Sequence, residues 1–233
     1  MKQRLQLWHK LLPNVGLHYA VKTNPDRGIL KIIAQNGDSF DCASASEITR
    51  VLKMGVSPDR IIFANSCKTT HDITYAKSRG VNLMTFDSRE EALKIHSIFP
   101  EAQLIFRIAC TNTDAPCPMG MKFGAPEILW DEIIESVKQL GLRLRGVSFH
   151  VGSGGCNFTA YQSCLKNAEI VYKMVASKGI PEMNILDIGG GFSMCARKEE
   201  YNFDKVAPQV QNYLDNIWPL KSSNIHVIGE PGR

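Results

Sequence analysis

Three consecutive glycines, Gly189-Gly190-Gly191, follow the apolar run Ile185-Leu-Asp-Ile188, and backbone without side chains lets N–H groups close on an anion such as phosphate. Further along, Glu230-Pro-Gly-Arg233 sets a carboxylate and a guanidinium beyond another apolar run. Arg233 would pair with a phosphate through its planar fork, and Glu230 could face a ring nitrogen of a bound heterocycle. The segment His18-Tyr-Ala-Val-Lys22 ends in a lysine. In an apolar mouth, burial lowers an amine's pKa and leaves neutral amine for Schiff-base chemistry, whereas a lysine snorkelling to the surface is the competing reading. Asp41, in Phe40-Asp-Cys-Ala-Ser44, either orients that amine or serves as a turn residue. Arg107 interrupts Leu104-Ile-Phe-Arg-Ile-Ala109 and requires an anionic partner, structural or ligand, because an unpaired buried charge is costly. In Val147-Ser-Phe-His-Val-Gly-Ser-Gly154, His150 could stack on a flat aromatic ligand with Ser153 near its phosphate, or be a satisfied core histidine.

Such groups need a frame that brings them to one rim. Short β-branched segments recur with helical patterns between them, predicting strands over 16–22, 39–43, 60–65, 82–87, 103–109, 145–151, 184–188 and 224–229. Regular alternation argues a parallel sheet, and eight units argue an α/β fold closed into a (β/α)8 TIM-type barrel with its reactive residues at the strands' C-terminal ends. Ser44-Ala-Ser-Glu47 and Ser88-Arg-Glu-Glu91 read as capping boxes. Leu129, Trp130, Ile133, Ile134, Val137 and Leu140, and later Tyr161, Leu165, Ala168, Tyr172 and Val175, have helical spacing and form core stripes. Leu5, Trp8, Leu11 and Leu12 predict a helix ahead of the first strand, covering the barrel seam. The irregular stretch 110–124 reads as a mobile loop over the mouth.

Composition narrows the class without naming a ligand. The chain has 233 residues, 44% hydrophobic and 21% charged, with a net charge of +4 spread along its length, so one globular domain is expected and nothing points to nucleic acid or a membrane surface. No signal-like or membrane-spanning apolar run is present, which predicts an intracellular protein. Seven cysteines without a Cys-x-x-Cys argue against a disulfide framework and a zinc site; reduced core thiols are expected. The remaining histidines show no metal-ligand spacing.

These motifs, with Tyr19-Ala-Val-Lys-Thr-Asn24 and Ala64-Asn-Ser-Cys-Lys68, occur in the order seen in the pyridoxal-phosphate-dependent decarboxylases of the alanine racemase fold. The chain resembles that family from about Leu12 to Arg233, most closely its eukaryotic ornithine-decarboxylating branch. The resemblance implies pyridoxal 5'-phosphate held covalently by Lys22, stacked on His150, with its pyridine nitrogen at Glu230. It further implies phosphate contacts from Ser153, Gly189, Gly190, Gly191 and Arg233, with Asp41 and Arg107 in support. Glu47 matches a position near the reactive carbon, and Lys122 matches an interface lysine. Thr23, Ser66 and Ala45-Ser46 depart from the usual family residues without removing a chemical group.

The implied activity is decarboxylation of a basic amino acid, ornithine to putrescine in polyamine biosynthesis, by a cytoplasmic homodimer; lysine is the next substrate. The family's β-rich second domain, which supplies groups across the dimer, is not in this sequence. By resemblance residues 1–233 are therefore the cofactor-binding barrel, ending after the eighth strand and inactive by itself. Two other readings are a non-catalytic regulator of the antizyme-inhibitor kind and a single-domain pyridoxal phosphate carrier.

Overall fold

The computed structural model describes all residues except 121, 182, 217, 219–223 and 233. Eight parallel strands close into a barrel in sequence order: β1 (Val15–Ala20), β2 (Ser39–Cys42), β3 (Ile61–Phe63), β4 (Leu83–Phe86), β5 (Gln103–Arg107), β6 (Arg143–Ser148), β7 (Ile185–Asp187) and β8 (His226–Gly229). Closure pairs Val15 with Val227, Gly16 with Ile228 and Leu17 with Gly229. Each predicted strand is present, shortened by a residue or more at most ends and extended to begin at Val15 in β1 and at Arg143 in β6. Around them lie α1 (Lys2–Leu11), α2 (Arg27–Asn36), α3 (Ala45–Leu52), α4 (Thr70–Ser78), α5 (Arg89–Ile98), α6 (Trp130–Gln139), α7 (Phe158–Ser177) and α8 (Phe203–Asn216).

Two apolar layers follow from the period-two alternation of strand side chains. Outward residues such as Phe40, Phe63, Phe86 and Phe106 pack under the helices, while Ile62, Ala64, Ile105 and Ile228 meet inside the barrel with Leu83 and Ile185. The same parity aims Asp41, Thr85, Arg107, Ser148 and Asp187 inward, nearer the C-terminal rim. A layer of aliphatic side chains thus forms the floor beneath a polar mouth.

α1 packs beside the closure of β1 on β8. Trp8 Nε1 donates to Val15 O at 3.0 Å, and its ring stacks on Phe203 at 5.5 Å and meets Phe192 edge-on at 5.2 Å. A Cβ on Gly229 would lie 3.0 Å from the Trp8 ring, so glycine lets the helix approach.

Side-chain caps set the starts of α2, α3, α4, α5 and α7, each contributing about 1 kcal/mol. Ser44 Oγ accepts the Glu47 N–H, and Glu47 Oε2 accepts the Ala43 N–H at 2.7 Å. At α5 only half of the expected box forms. Ser88 Oγ accepts the Glu91 N–H, but the Glu91 carboxylate is buried against Lys68 Nζ at 2.9 Å and Lys94 Nζ at 2.6 Å. Buried Lys68 draws that carboxylate away from the helix cap through both its ammonium and its backbone N–H, the latter at 3.1 Å.

Three further expectations need correction. Leu129 is exposed, because α6 begins only at Trp130, whereas Trp130, Ile133, Ile134 and Val137 are buried. The loop after β5 is fastened rather than free: Cys117 and Ser153 exchange backbone hydrogen bonds, and the Gly124 N–H donates to Asp87 Oδ2 at 2.8 Å. Cys110 and Cys164 are joined in a disulfide that ties the loop's start to α7, so not all the cysteines are reduced core thiols. Spacing could not show this, since the two are 54 residues apart and meet only through the fold. Among the described residues no helix is long and apolar enough to cross a membrane.

Candidate active site

A cavity of about 320 Å³ opens at the C-terminal rim, lined among others by Lys22, Asp41, His150, Ser153, Gly190 and Glu230. Lys22 sits in the single 3-10 turn Val21–Thr23 that follows β1. Its Nζ donates to Asp41 Oδ2 at 2.6 Å, with the lysine side chain 43% exposed at the mouth and the aspartate wholly buried. Burial does act to lower the lysine pKa, as the sequence suggests, but Asp41 and then Glu230 outweigh it, so the ammonium is held above its ordinary range. Asp41 is pushed up to about 7, by burial first and then by the charge of Glu230, with Lys22 opposing.

His150 lies just beyond β6. Its Nδ1 accepts the Gly152 N–H at 3.0 Å, which assigns any ring proton to Nε2. Burial first, then the charges of Arg107 and Lys22, draw its pKa down to about 3, so the ring is neutral. The glycine turn packs directly on this histidine. A Cβ on Gly190 would lie 3.0 Å from His150 Nε2 and 2.9 Å from Glu230 O, so any side chain there must displace the histidine or the Glu230 carbonyl. Gly191, at φ +101°, would place one 2.5 Å from Val151 Cγ2. The N–H groups of Gly190 and Gly191 meet no acceptor among the described residues.

Gly189 differs from its neighbours. Its N–H donates to Asp187 Oδ1 at 2.8 Å, its carbonyl accepts the Glu230 N–H at 2.8 Å, and a Cβ would fall 2.2 Å from Phe149 O. This glycine shapes the turn and has no N–H left for an anion, contrary to the sequence expectation. Ser153 likewise gives its own N–H to Cys117 O at 3.0 Å, so only its hydroxyl is available. Arg107, expected to need an anionic partner, is only partly buried and rests over the Phe123 ring at 5.1 Å. Among the described residues it forms no ion pair, and its charge instead acts on His150, Glu230 and Lys22 across the mouth. Glu47 is engaged with Ala43 at the start of α3, Lys122 is exposed on the loop outside the cavity lining, and Arg233 lies outside the described residues.

Asp187, two residues before the first of the three glycines, is given no role by the sequence although it belongs with the site. It is 1% exposed at the end of β7, and its carboxyl reaches that of Glu230. The available signal was parity: a carboxylate at a strand end, two residues after inward-facing Ile185. Burial pushes Asp187 up to about 7, and burial together with the Asp187 charge pushes Glu230 up to about 8.

These residues define a class: a parallel barrel whose rim offers an amine, a neutral flat ring, a buried acid and a bare-backbone anion cradle. The cavity suits a small ligand carrying a phosphate and a ring nitrogen, and the unpartnered Asp41 Oδ1 and the free N–H groups of Gly190 and Gly191 fit one. The family described as pyridoxal-dependent decarboxylase, pyridoxal binding domain, matches residues 1–233. The chain is 42% identical over its whole length to ornithine decarboxylase of Saccharomyces cerevisiae, covering 49% of that protein. It is 41% identical over 96% of its length to antizyme inhibitor 2 of Xenopus laevis, covering 48% of it. The arginine decarboxylase of Paramecium bursaria Chlorella virus superposes on 99% of the chain with a TM-score of 0.92 at 38% identity, 61% of that structure being covered. This chain belongs to the pyridoxal-dependent decarboxylase family, as its pyridoxal binding domain, and its cofactor is pyridoxal 5'-phosphate. It spans about half the length of the curated relatives it matches.

Proposed function

We propose that this chain is the cofactor-holding barrel of a decarboxylase acting on a basic amino acid, with L-ornithine as substrate and putrescine as product. The observation that carries this reading is the 2.6 Å Lys22–Asp41 pair, set in one cavity with Glu230 and Gly190. Bound there, pyridoxal phosphate supplies an electron sink that stabilises the carbanion left when an α-carboxylate departs.

The protein's own groups bind and tune. Lys22 Nζ must shed a proton before it can act as a nucleophile, and Asp41 Oδ2, at hydrogen-bond distance and with a pKa near 7, accepts it. Neutral His150 offers its face to a planar ring without adding charge. Glu230 holds the ring nitrogen, while the N–H groups of Gly190 and Gly191 and the Ser153 hydroxyl hold phosphate, joined by Arg233. Gly189 shapes that cradle from behind.

Ornithine is favoured by the motif similarity and by the yeast relative's name. Lysine and arginine are the alternative substrates, because the described cavity residues do not decide between them and ornithine. The reading extends to a cytoplasmic homodimer with low turnover by the 233 residues alone. The 41% identity to an antizyme inhibitor supports a second reading, a regulator that binds an antizyme-like partner. Retention of the Lys22–Asp41 pair favours the catalyst. The test is to incubate the protein with pyridoxal phosphate, reduce with borohydride, map the modified peptide and measure carbon dioxide release from ornithine, lysine and arginine. Stoichiometric label on Lys22 is expected. A folded protein with no label, or label scattered over surface lysines, refutes the catalyst and favours the regulator.

A further inference from the structure

Two carboxylates cannot hydrogen-bond to each other, because both only accept. Yet the Asp187 and Glu230 side chains lie within hydrogen-bonding reach, and Asp187 Oδ2 and Glu230 Oε1 each lack a donor among the described residues. Asp187 Oδ1 is already committed to the Gly189 N–H, which fixes the carboxyl and leaves Oδ2 as the unpartnered oxygen. The Glu230 main chain is fixed in turn by its N–H bond to Gly189 O at 2.8 Å. One glycine thereby locks both acids in place.

We propose that Asp187 and Glu230 share one proton, and that Asp187 is the positioning residue that sets the proton occupancy of Glu230 where it meets the ring nitrogen of pyridoxal phosphate. A single proton between the two acids gives both unpartnered oxygens a hydrogen bond and halves the buried charge. The surroundings leave this proton in the pair. Lys22 is engaged by Asp41, Asp41 is itself an acid, His150 is neutral with Nδ1 already accepting, and Arg107 makes no contact bond to either carboxyl. Ser148, the register partner of Asp187 on β6, has a hydroxyl that meets neither acid. The raised pKa values of both acids, Asp187 by burial and Glu230 by burial and its neighbour's charge, agree with a pair that titrates as a unit near neutrality.

The role toward the ring nitrogen rests on the cofactor reading above, whereas the shared proton can be read without cofactor. Infrared spectra of the cofactor-free protein at neutral pH should show the C=O stretch of a protonated carboxyl. In a D41N background, which removes the separate band of Asp41, D187N, which keeps the Gly189 bond through its amide oxygen, and E230Q should each remove the remaining band, while S148A leaves it in place. In the pyridoxal phosphate complex of D187N, the pH midpoint at which affinity falls on the alkaline side should drop by about one unit or more, as for an acid losing a like-charged neighbour. A merely structural Asp187 would leave that midpoint unmoved. A band that survives in both D41N/D187N and D41N/E230Q, or an unshifted midpoint in a D187N protein still labelled at Lys22, overturns the proposal. A band that behaves as expected in a protein that never takes up pyridoxal phosphate upholds the shared proton and refutes the cofactor role instead.

Discussion

Removing the Lys22 ammonium tests the reasoning about the site at its most quantitative point. In K22A, Asp41 keeps its wholly buried position but loses its only donor among the described residues, so neither of its oxygens has one there. A buried carboxylate stripped of its partner takes up a proton instead of staying charged, and the cost of that proton caps the loss of stability. For a carboxyl of ordinary pKa about 3.9, protonation costs about 4 kcal/mol at pH 7 and about 1.5 kcal/mol at pH 5, at 1.36 kcal/mol per unit. Part of the cost is already borne in the wild type, where Asp41 stands near 7, and the pair is weakened by solvent because the lysine side chain is 43% exposed. The expected loss is therefore about 1–3 kcal/mol at pH 7 and less than about 1.5 kcal/mol at pH 5. The sign follows from the direction of the shift. A carboxyl with a raised folded-state pKa contributes its stability below the unfolded value and loses it as pH rises through the folded one. Urea unfolding of wild type, K22A and K22A/D41N at both pH values reads this directly. Equal losses at the two pH values, or a double variant no more stable than K22A, would refute the argument.

Other consequences are open to measurement. G190A should bind pyridoxal phosphate at least tenfold more weakly while retaining its fold, since the added Cβ meets His150 Nε2 at 3.0 Å and Glu230 O at 2.9 Å; unchanged affinity by equilibrium dialysis would contradict the placement of the cradle. E91A leaves the buried Lys68 ammonium without its anion and should cost about 3–5 kcal/mol in denaturant unfolding, with E91A/K68M recovering part of it. Reduction of Cys110–Cys164, or C164S, should lower stability by about 2–4 kcal/mol through release of the 54-residue separation it closes. Without cofactor, the thermal midpoint should fall as pH rises through 7 to 8, because Asp41, Asp187 and Glu230 have raised pKa values. Against this, His18 and His150, whose values are lowered to about 4 and about 3, lose their contribution as pH falls from about 6.5 to those values, because the unfolded histidines take up protons first.

Much of the architecture was legible in the chain because it rests on local physics. Strand residues alternate between the helix-facing and inward layers, Ser44 and Ser88 begin helices because their hydroxyls accept nearby N–H groups, and bare backbone at 189–191 is chemistry that no side chain can hide. Lys22, Asp41, His150 and Glu230 could be placed on one rim from sequence, since every strand end of a parallel barrel faces the same way. Tertiary structure decided the balance of forces among residues far apart in the chain. It showed burial of Lys22 losing to the charge of Asp41, Glu91 turning from its cap to Lys68, and Cys110 meeting Cys164. It also gave the Gly189 N–H to Asp187 and brought Asp187 against Glu230. Local propensity and alternation act over a few residues and can be read along the chain. The sign of a pKa shift and the partner of a buried polar atom depend on distances between strands, which exist only once the barrel has closed.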